Sequence, residues 1–196
     1  ANGHLNSVSG DNRQSNLLFE NDGGGQFTDI SERSGVLSTG NRIHRSAIFA
    51  DYDDDGRVDV FVTVNGQQVE DGQGNNIFDP NQGKGILFHN ETESDNNWIK
   101  VRLEGTKSNR DGFGATVSIK AGSIKHKQAL VSGQGYFSTH AKEIYFGLGS
   151  VKSIDKIKVS WPSGMDQTFE NIPANQTVYI LEGETLHQNT SHLIIK

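Results

Sequence analysis

Alternating apolar and polar positions run through most of the chain. Ser46-Ala47-Ile48-Phe49-Ala50 and Val58-Asp59-Val60-Phe61-Val62-Thr63-Val64 read as strands on either side of an acidic run. Trp98 to Leu103, Ala115 to Lys120 and Ile154 to Trp161 repeat the period of two, and Ile124 to Val131, Glu143 to Phe146 and Thr177 to Leu181 are further strand candidates. Turn clusters separate them: Asp22-Gly23-Gly24-Gly25, Asn65-Gly66, Ala121-Gly122 and Pro162-Ser163-Gly164. The one helical expectation is a short turn around Asp29 to Gly35. The pattern is that of an all-β chain with closely spaced strands.

The pattern also repeats. Asn16-Leu17-Leu18-Phe19-Glu20-Asn21-Asp22 is echoed by Gly85-Ile86-Leu87-Phe88-His89-Asn90-Glu91, and Ala1-Asn2-Gly3 by Val64-Asn65-Gly66. A unit of that length holding several short strands fits a propeller blade. A blade cannot bury both of its faces alone, so the reading expects neighbours, either from a longer protein or from self-assembly. The polar, Gly- and Asn-rich stretch from Gln67 to Lys84 reads as a long loop, and a domain boundary is expected near Glu93 to Asn97. Little pattern follows Gly183, although Leu193-Ile194-Ile195 could add an edge strand.

Composition narrows the function classes. The chain has 196 residues, of which 33% are hydrophobic and 23 are glycines, which suits turns better than long helices. No apolar run approaches the roughly 18 residues of a spanning helix, and the first residues lack the basic and apolar stretches of a signal peptide. With no cysteine there is no disulfide framework, thiolate metal site or thiol nucleophile. A net charge of -6 is the wrong sign for nucleic-acid backbones.

Much of that negative charge is concentrated. Asp51-Tyr52-Asp53-Asp54-Asp55-Gly56-Arg57-Val58-Asp59 fits D-x-D-x-D-G-x-x-D. Calcium takes six to eight oxygens, and carboxylates at alternate positions can wrap around it. Asp51, Asp53 and Asp55 are the first three candidate ligands. Gly56 permits the sharp turn that returns the Arg57 carbonyl, and Asp59 closes the set; Asp54 points outward by alternation. The loop is not an EF-hand, since Val62 stands where a bidentate Glu is required and both flanks alternate as strands. Without a cation, five carboxylates in nine residues repel one another uncompensated. The ion expected is Ca2+, structural rather than catalytic.

Other residues are weaker candidates. Gly112-Phe113-Gly114 after Asn109-Arg110-Asp111 could pass for a phosphate loop, but a strand follows instead of a helix, so turn glycines are expected. The histidines lack metal-ligand spacing. His140 near Tyr136 and Ser138, with Arg102 or Arg110, could suggest a lyase-like pair, although sequence proximity places them only in one loop. His44 and Arg45 read as surface residues with some capacity for ligand contact. Trp98 and Trp161 lie in alternating strands and are expected in the core, which leaves Tyr136-Phe137 as the better exposed aromatic pair. The sequons at Asn90, Asn175 and Asn189 are no more than chance supplies in so Asn-, Ser- and Thr-rich a chain.

With these residues in hand, the first part resembles the VCBS/FG-GAP family of calcium-binding propeller repeats, through Asn16 to Asn21, Gly25-Gln26-Phe27-Thr28-Asp29-Ile30, Gly35 and Ala50 to Asp59. The second resembles the ASPIC/UnbV domain, through Trp98 to Ala115, Ser132-Gly133-Gln134-Gly135-Tyr136, Phe146-Gly147-Leu148-Gly149 and Val159 to Gly164. The pairing is similar to the C-terminal architecture of the cartilage acidic protein 1-like family, and the absence of the cysteine-rich C-terminal module of its animal members favours a bacterial relative. The resemblance implies a secreted or cell-surface, non-enzymatic protein acting in adhesion, matrix contact or carbohydrate binding. The expected architecture is all-β: partial β-propeller blades over residues 1–95, a small antiparallel β-sandwich or barrel-like domain over 96–184, and a tail over 185–196. Expected partners are an extracellular glycan or protein, or copies of the chain itself. Two rival readings stand beside this one: the end of a polysaccharide-degrading propeller enzyme, and a subunit that assembles by strand addition.

Overall fold

The computed structural model describes residues 14–40, 42–65, 68–70, 72–74, 76–78, 83–184 and 187–188, and every regular element among them but one is a strand. The echo at Ala1-Asn2-Gly3, the third sequon and the suggested strand at 193–195 lie outside the described residues. Contacts divide the chain into two compact units. One gathers the described residues within 1–50, 59–90 and 135–139, and the other those within 51–58, 91–134 and 140–196.

In the first unit, β1 (Phe19–Asn21) and β2 (Phe27–Asp29) form an antiparallel pair. Their turn is held by side-chain acceptors: Asp22 Oδ1 takes the Gly24 and Gln26 N–H groups, and Asn21 Oδ1 takes that of Gly23. The expected helical turn around Asp29 to Gly35 is present as a single turn, in which the Ser34 N–H donates to the Ile30 carbonyl at 2.9 Å and the Gly35 N–H to that of Glu32 at 3.2 Å. Gly35 adopts φ 76°, and a separate 3-10 helix of four residues follows over Val36–Thr39. A left-handed glycine there ends one turn and starts the next. Next come β3 (Ile43–Ala50), β4 (Asp59–Asn65), the small pair β5 (Gln68–Glu70) and β6 (Asn76–Phe78), and β7 (Ile86–Phe88). β3, β4 and β7 make a three-stranded antiparallel sheet with an irregularity between His44 and Ala47. Val62 and Val64 are buried, whereas Leu17, Phe19, Phe27, Phe49, Phe61 and Leu87 are exposed.

The second unit holds the main core. Its strands are β8 (Asn97–Glu104), β9 (Thr116–Ala121), β10 (Ile124–Ala129), β11 (Glu143–Gly149), β12 (Ser153–Ser160), β13 (Asp166–Pro173), β14 (Gln176–Leu181) and β15 (His187–Gln188). Two four-stranded sheets result, ordered β10-β9-β12-β13 and β11-β8-β14-β15. Period-2 apolar positions from both fill one cluster, with Ile99 and Val101, Val117 and Ile119, Ile144 and Phe146, and Val178 and Ile180 among its members. Each such side chain contributes about 1.5–3 kcal/mol on burial. The expected antiparallel pairing needs one correction: β14 runs parallel to β8. β9, β10, β12 and β13 of the other sheet lie between them in sequence, so the chain returns by a crossover and enters in the same direction.

Candidate functional site

The acidic run is the turn of the β3–β4 hairpin, in which Ala50 pairs with Asp59. Asp51 organises it. Its Oδ1 accepts the Asp55 N–H at 3.0 Å and its Oδ2 the Gly56 N–H at 3.1 Å. Asp55 Oδ1 in turn accepts the Arg57 N–H at 2.8 Å, and the Asp55 and Arg57 side chains form an ion pair. The reversal is tight enough to require positive φ at Asp54 (60°) and Gly56 (87°). Gly56 has a second reason to lack a side chain, because a Cβ there would collide with the indole of Trp98.

Asp51, Asp53 and Asp59 each offer a carboxylate oxygen, all within 4.8 Å of one another, and Asp53 and Asp55 form a second group of that size with a ring nitrogen of His89, a residue the histidine spacing did not mark. The loop thus draws together four of the carboxylates singled out in the sequence, with hard oxygen donors suited to a cation such as Ca2+. Asp59 is further fixed by the Asn90 N–H, 2.8 Å from its Oδ1. Asp54 is directed elsewhere.

Its partner is Lys100, a residue the alternation of β8 would place facing solvent. Lys100 is fully buried instead, with Nζ 2.9 Å from Asp51 Oδ2, hydrogen-bonded to Asp54 and 3.9 Å from Glu143. Burial alone would lower its pKa, but Asp54, Asp51 and Glu143 together raise it above the ordinary lysine value. The same contact holds the Asp54 carboxyl below its usual range. Tyr145 completes the cluster: its hydroxyl donates to Glu143 and accepts the Asp51 N–H at 3.1 Å. Burial and the neighbouring carboxylate push that phenol upward. Arg102 pairs with Glu143 and donates to the Tyr179 hydroxyl. A carboxylate has about four acceptor positions; three of those on Asp51 serve Asp55, Gly56 and Lys100.

A second polar cluster lies in the same unit. Glu182, only 2% exposed, accepts the consecutive backbone N–H groups of Thr106, Lys107 and Ser108 on Oε2, and the Ser108 and Ser163 hydroxyls on Oε1. Burial pushes its pKa up, but the Ser163 hydroxyl and the three N–H groups outweigh this and hold it at about 2. Residues 106–108, ahead of the Gly112-Phe113-Gly114 candidate, cradle an anion, and the anion is the protein's own. The glycines beyond it, Gly112 (φ 70°) and Gly114 (φ 89°), supply turns as expected.

The remaining candidates separate. Trp161 is buried, while Trp98 is half-buried. Arg110 is exposed beside Glu104, and Arg102 pairs with Glu143. His44 is a correction: it is buried, with Nδ1 3.1 Å from the Gln14 carbonyl, because β3 turns it inward. Arg45 lies over the ring of Tyr136, 5.9 Å from its centroid.

Residues 1–62 match the family model of the FG-GAP-like repeat, and residues 105–187 match that of ASPIC and UnbV. Comparison with curated proteins finds no match.

Proposed function

For a chain that joins an FG-GAP-like repeat to an ASPIC and UnbV domain, two non-catalytic structural modules, we propose the role of an extracellular, calcium-stabilised module acting in adhesion, matrix contact or assembly. The observation that carries this reading is the grouping of Asp51, Asp53 and Asp59 oxygens within one nine-residue turn. The proposed ligands are the side chains of Asp51, Asp53, Asp55 and Asp59 with the Arg57 carbonyl. The ion's part is to neutralise carboxylates that otherwise repel and to fix the turn between β3 and β4.

Exposed Leu17, Phe19, Phe27 and Leu87 support the companion reading that the first unit is part of a propeller. Repeat units of this kind bury such side chains against neighbours. The second unit is proposed as a β-sandwich, since two sheets share one core. No helix among the described residues is long and apolar enough to cross a membrane. The partners proposed are an extracellular glycan or protein, or further copies of the chain.

Thermal unfolding in millimolar calcium and in EDTA, with light scattering on the same samples, tests the reading. At a free calcium of about 100 times the dissociation constant, one site adds about 2.7 kcal/mol, seen as a higher melting temperature. Asp59→Asn should lower the melting temperature in calcium and leave the EDTA value nearly unchanged. An identical calcium response in wild type and variant would remove Asp59 from the ligand set. No response in wild type would remove the ion.

A further inference from the structure

The first unit carries a groove of about 280 Å³ lined by Arg45, Ser46, Thr63, Asn65, Tyr136 and Phe137, among others. Its chemistry is selective. The polar wall comes from β3 and β4, where Ser, Thr and Asn side chains can both donate and accept hydrogen bonds. Arg45 is the only charged residue among the described residues of the lining, in a chain whose net charge is -6. The aromatic wall is a two-residue turn closed by the Gly135–Ser138 bridge, whose Ser138 hydroxyl is hydrogen-bonded to that of Ser46.

Phe137 is the unusual element. It stands in that turn with φ 50°, a conformation that favours glycine, and it is 94% exposed. Neither local geometry nor burial accounts for a phenyl ring at this point. Strain of this kind persists where the surrounding structure enforces it, and it clusters at ligand sites. The ring packs edge-on against Tyr136 with centroids 4.7 Å apart, and Arg45 lies over Tyr136. Two aromatic surfaces, one guanidinium and three amphoteric polar side chains therefore converge on one concavity.

We propose that this groove binds a carboxylated pyranose, a uronic-acid unit of an acidic polysaccharide. The apolar face of the sugar stacks on Phe137, whose ring stands edge-on to Tyr136. Its carboxylate pairs with the Arg45 guanidinium, and its hydroxyls are taken by Ser46, Thr63 and Asn65. A nucleic-acid strand is disfavoured by the net negative charge and the single cation. A protein partner is disfavoured by the polar wall opposite the aromatic turn. The proposal deepens the adhesion reading and rests on it for its setting, but it does not depend on the calcium loop.

The test is calorimetric titration of the whole chain with oligogalacturonate and with its methyl-esterified counterpart, each in calcium and in EDTA. Wild type should bind the free acid more tightly than the ester. Phe137→Gly relieves the backbone, so it should leave the melting temperature unchanged or raised while weakening the acid by about tenfold, the scale of one lost aromatic contact. Arg45→Gln should abolish the preference for acid over ester. Equal binding of acid and ester by wild type, no binding of either, or full affinity in Phe137→Gly would each overturn the proposal. Failure of the calcium melting test with intact acid binding would overturn the ion alone.

Discussion

Lys100 Nζ lies 2.9 Å from Asp51 Oδ2, and neither side chain has any exposure to solvent. A protein cation therefore already sits against the first carboxylate of the acidic turn. Removing one partner of such a buried pair costs about 3–5 kcal/mol, because the other charge is left uncompensated. Lys100→Met keeps most of the aliphatic volume and should destabilise the chain by that amount in EDTA. Calcium should recover part of the loss, making the calcium-dependent rise in melting temperature larger than in wild type. Chemical denaturation in the two buffers measures both. An equal loss in calcium and EDTA would mean that the ion does not share the work of Lys100.

Gly56 meets two demands at once, φ 87° and the nearness of the Trp98 ring. Left-handed backbone costs about 1–2 kcal/mol for a residue with a Cβ, and the added methyl must also displace the indole. Gly56→Ala should lower stability by at least about 1–2 kcal/mol and shift the tryptophan emission to the red as Trp98 moves into water. Gly25 has a similar φ of 88° in the β1–β2 turn, with nothing near the place of an added Cβ. Gly25→Ala, which carries the backbone cost alone, should leave the emission unchanged.

The strands were legible where one face is apolar and the other polar. β3, β4, β8, β9, β12 and β14 all lie within two or three residues of the spans their alternation indicates. β13 was not: in Asp166-Gln167-Thr168-Phe169-Glu170 the one apolar residue is Phe169, too few to set an alternation although it packs against the core, and only the Pro162-Ser163-Gly164 turn after β12 announces a hairpin. The acidic turn was legible because its carboxylates are local. Lys100, Glu143 and Tyr145 were not, since each occupies an ordinary polar position of an alternating strand and is engaged by a partner distant in sequence. Glu182 lies at the end of β14, and nothing in its neighbours marks it as the acceptor for residues 106–108. Alternation records which face a side chain takes, and it is silent on what covers that face.

His44 makes the first unit sensitive to mild acid. Burial lowers its pKa, opposed in part by the bond to the Gln14 carbonyl, and Nε2 has no hydrogen-bond partner among the described residues. The folded state therefore holds a neutral ring, whereas the unfolded chain takes up a proton near the ordinary value of about 6.5. Stability should fall as the pH drops below about 6.5 and level off beneath the lowered folded value. His44→Gln, which keeps a polar side chain but cannot titrate, should flatten the melting-temperature profile just below about pH 6.5. An unchanged slope would place the acid sensitivity elsewhere.

Glu182 sets the opposite wing of the profile in the second unit. Its folded pKa is about 2, below the ordinary 4.5, because the carboxylate is the form that receives the Ser163 hydroxyl and three backbone N–H groups against the penalty of burial. A depressed carboxyl contributes stability that is complete above its unfolded pKa and is lost as the pH falls through the folded one. The contribution of Glu182 should thus be whole above about pH 4.5 and decline toward about pH 2. Glu182→Gln replaces one acceptor oxygen with an amide donor that faces the same N–H groups. At neutral pH it should melt well below wild type, and amide exchange at Thr106, Lys107 and Ser108 should quicken. The two melting curves should converge as the pH approaches 2, where wild type protonates. A gap that stayed constant down to that pH would mean that the loop is held by packing and not by the carboxylate charge.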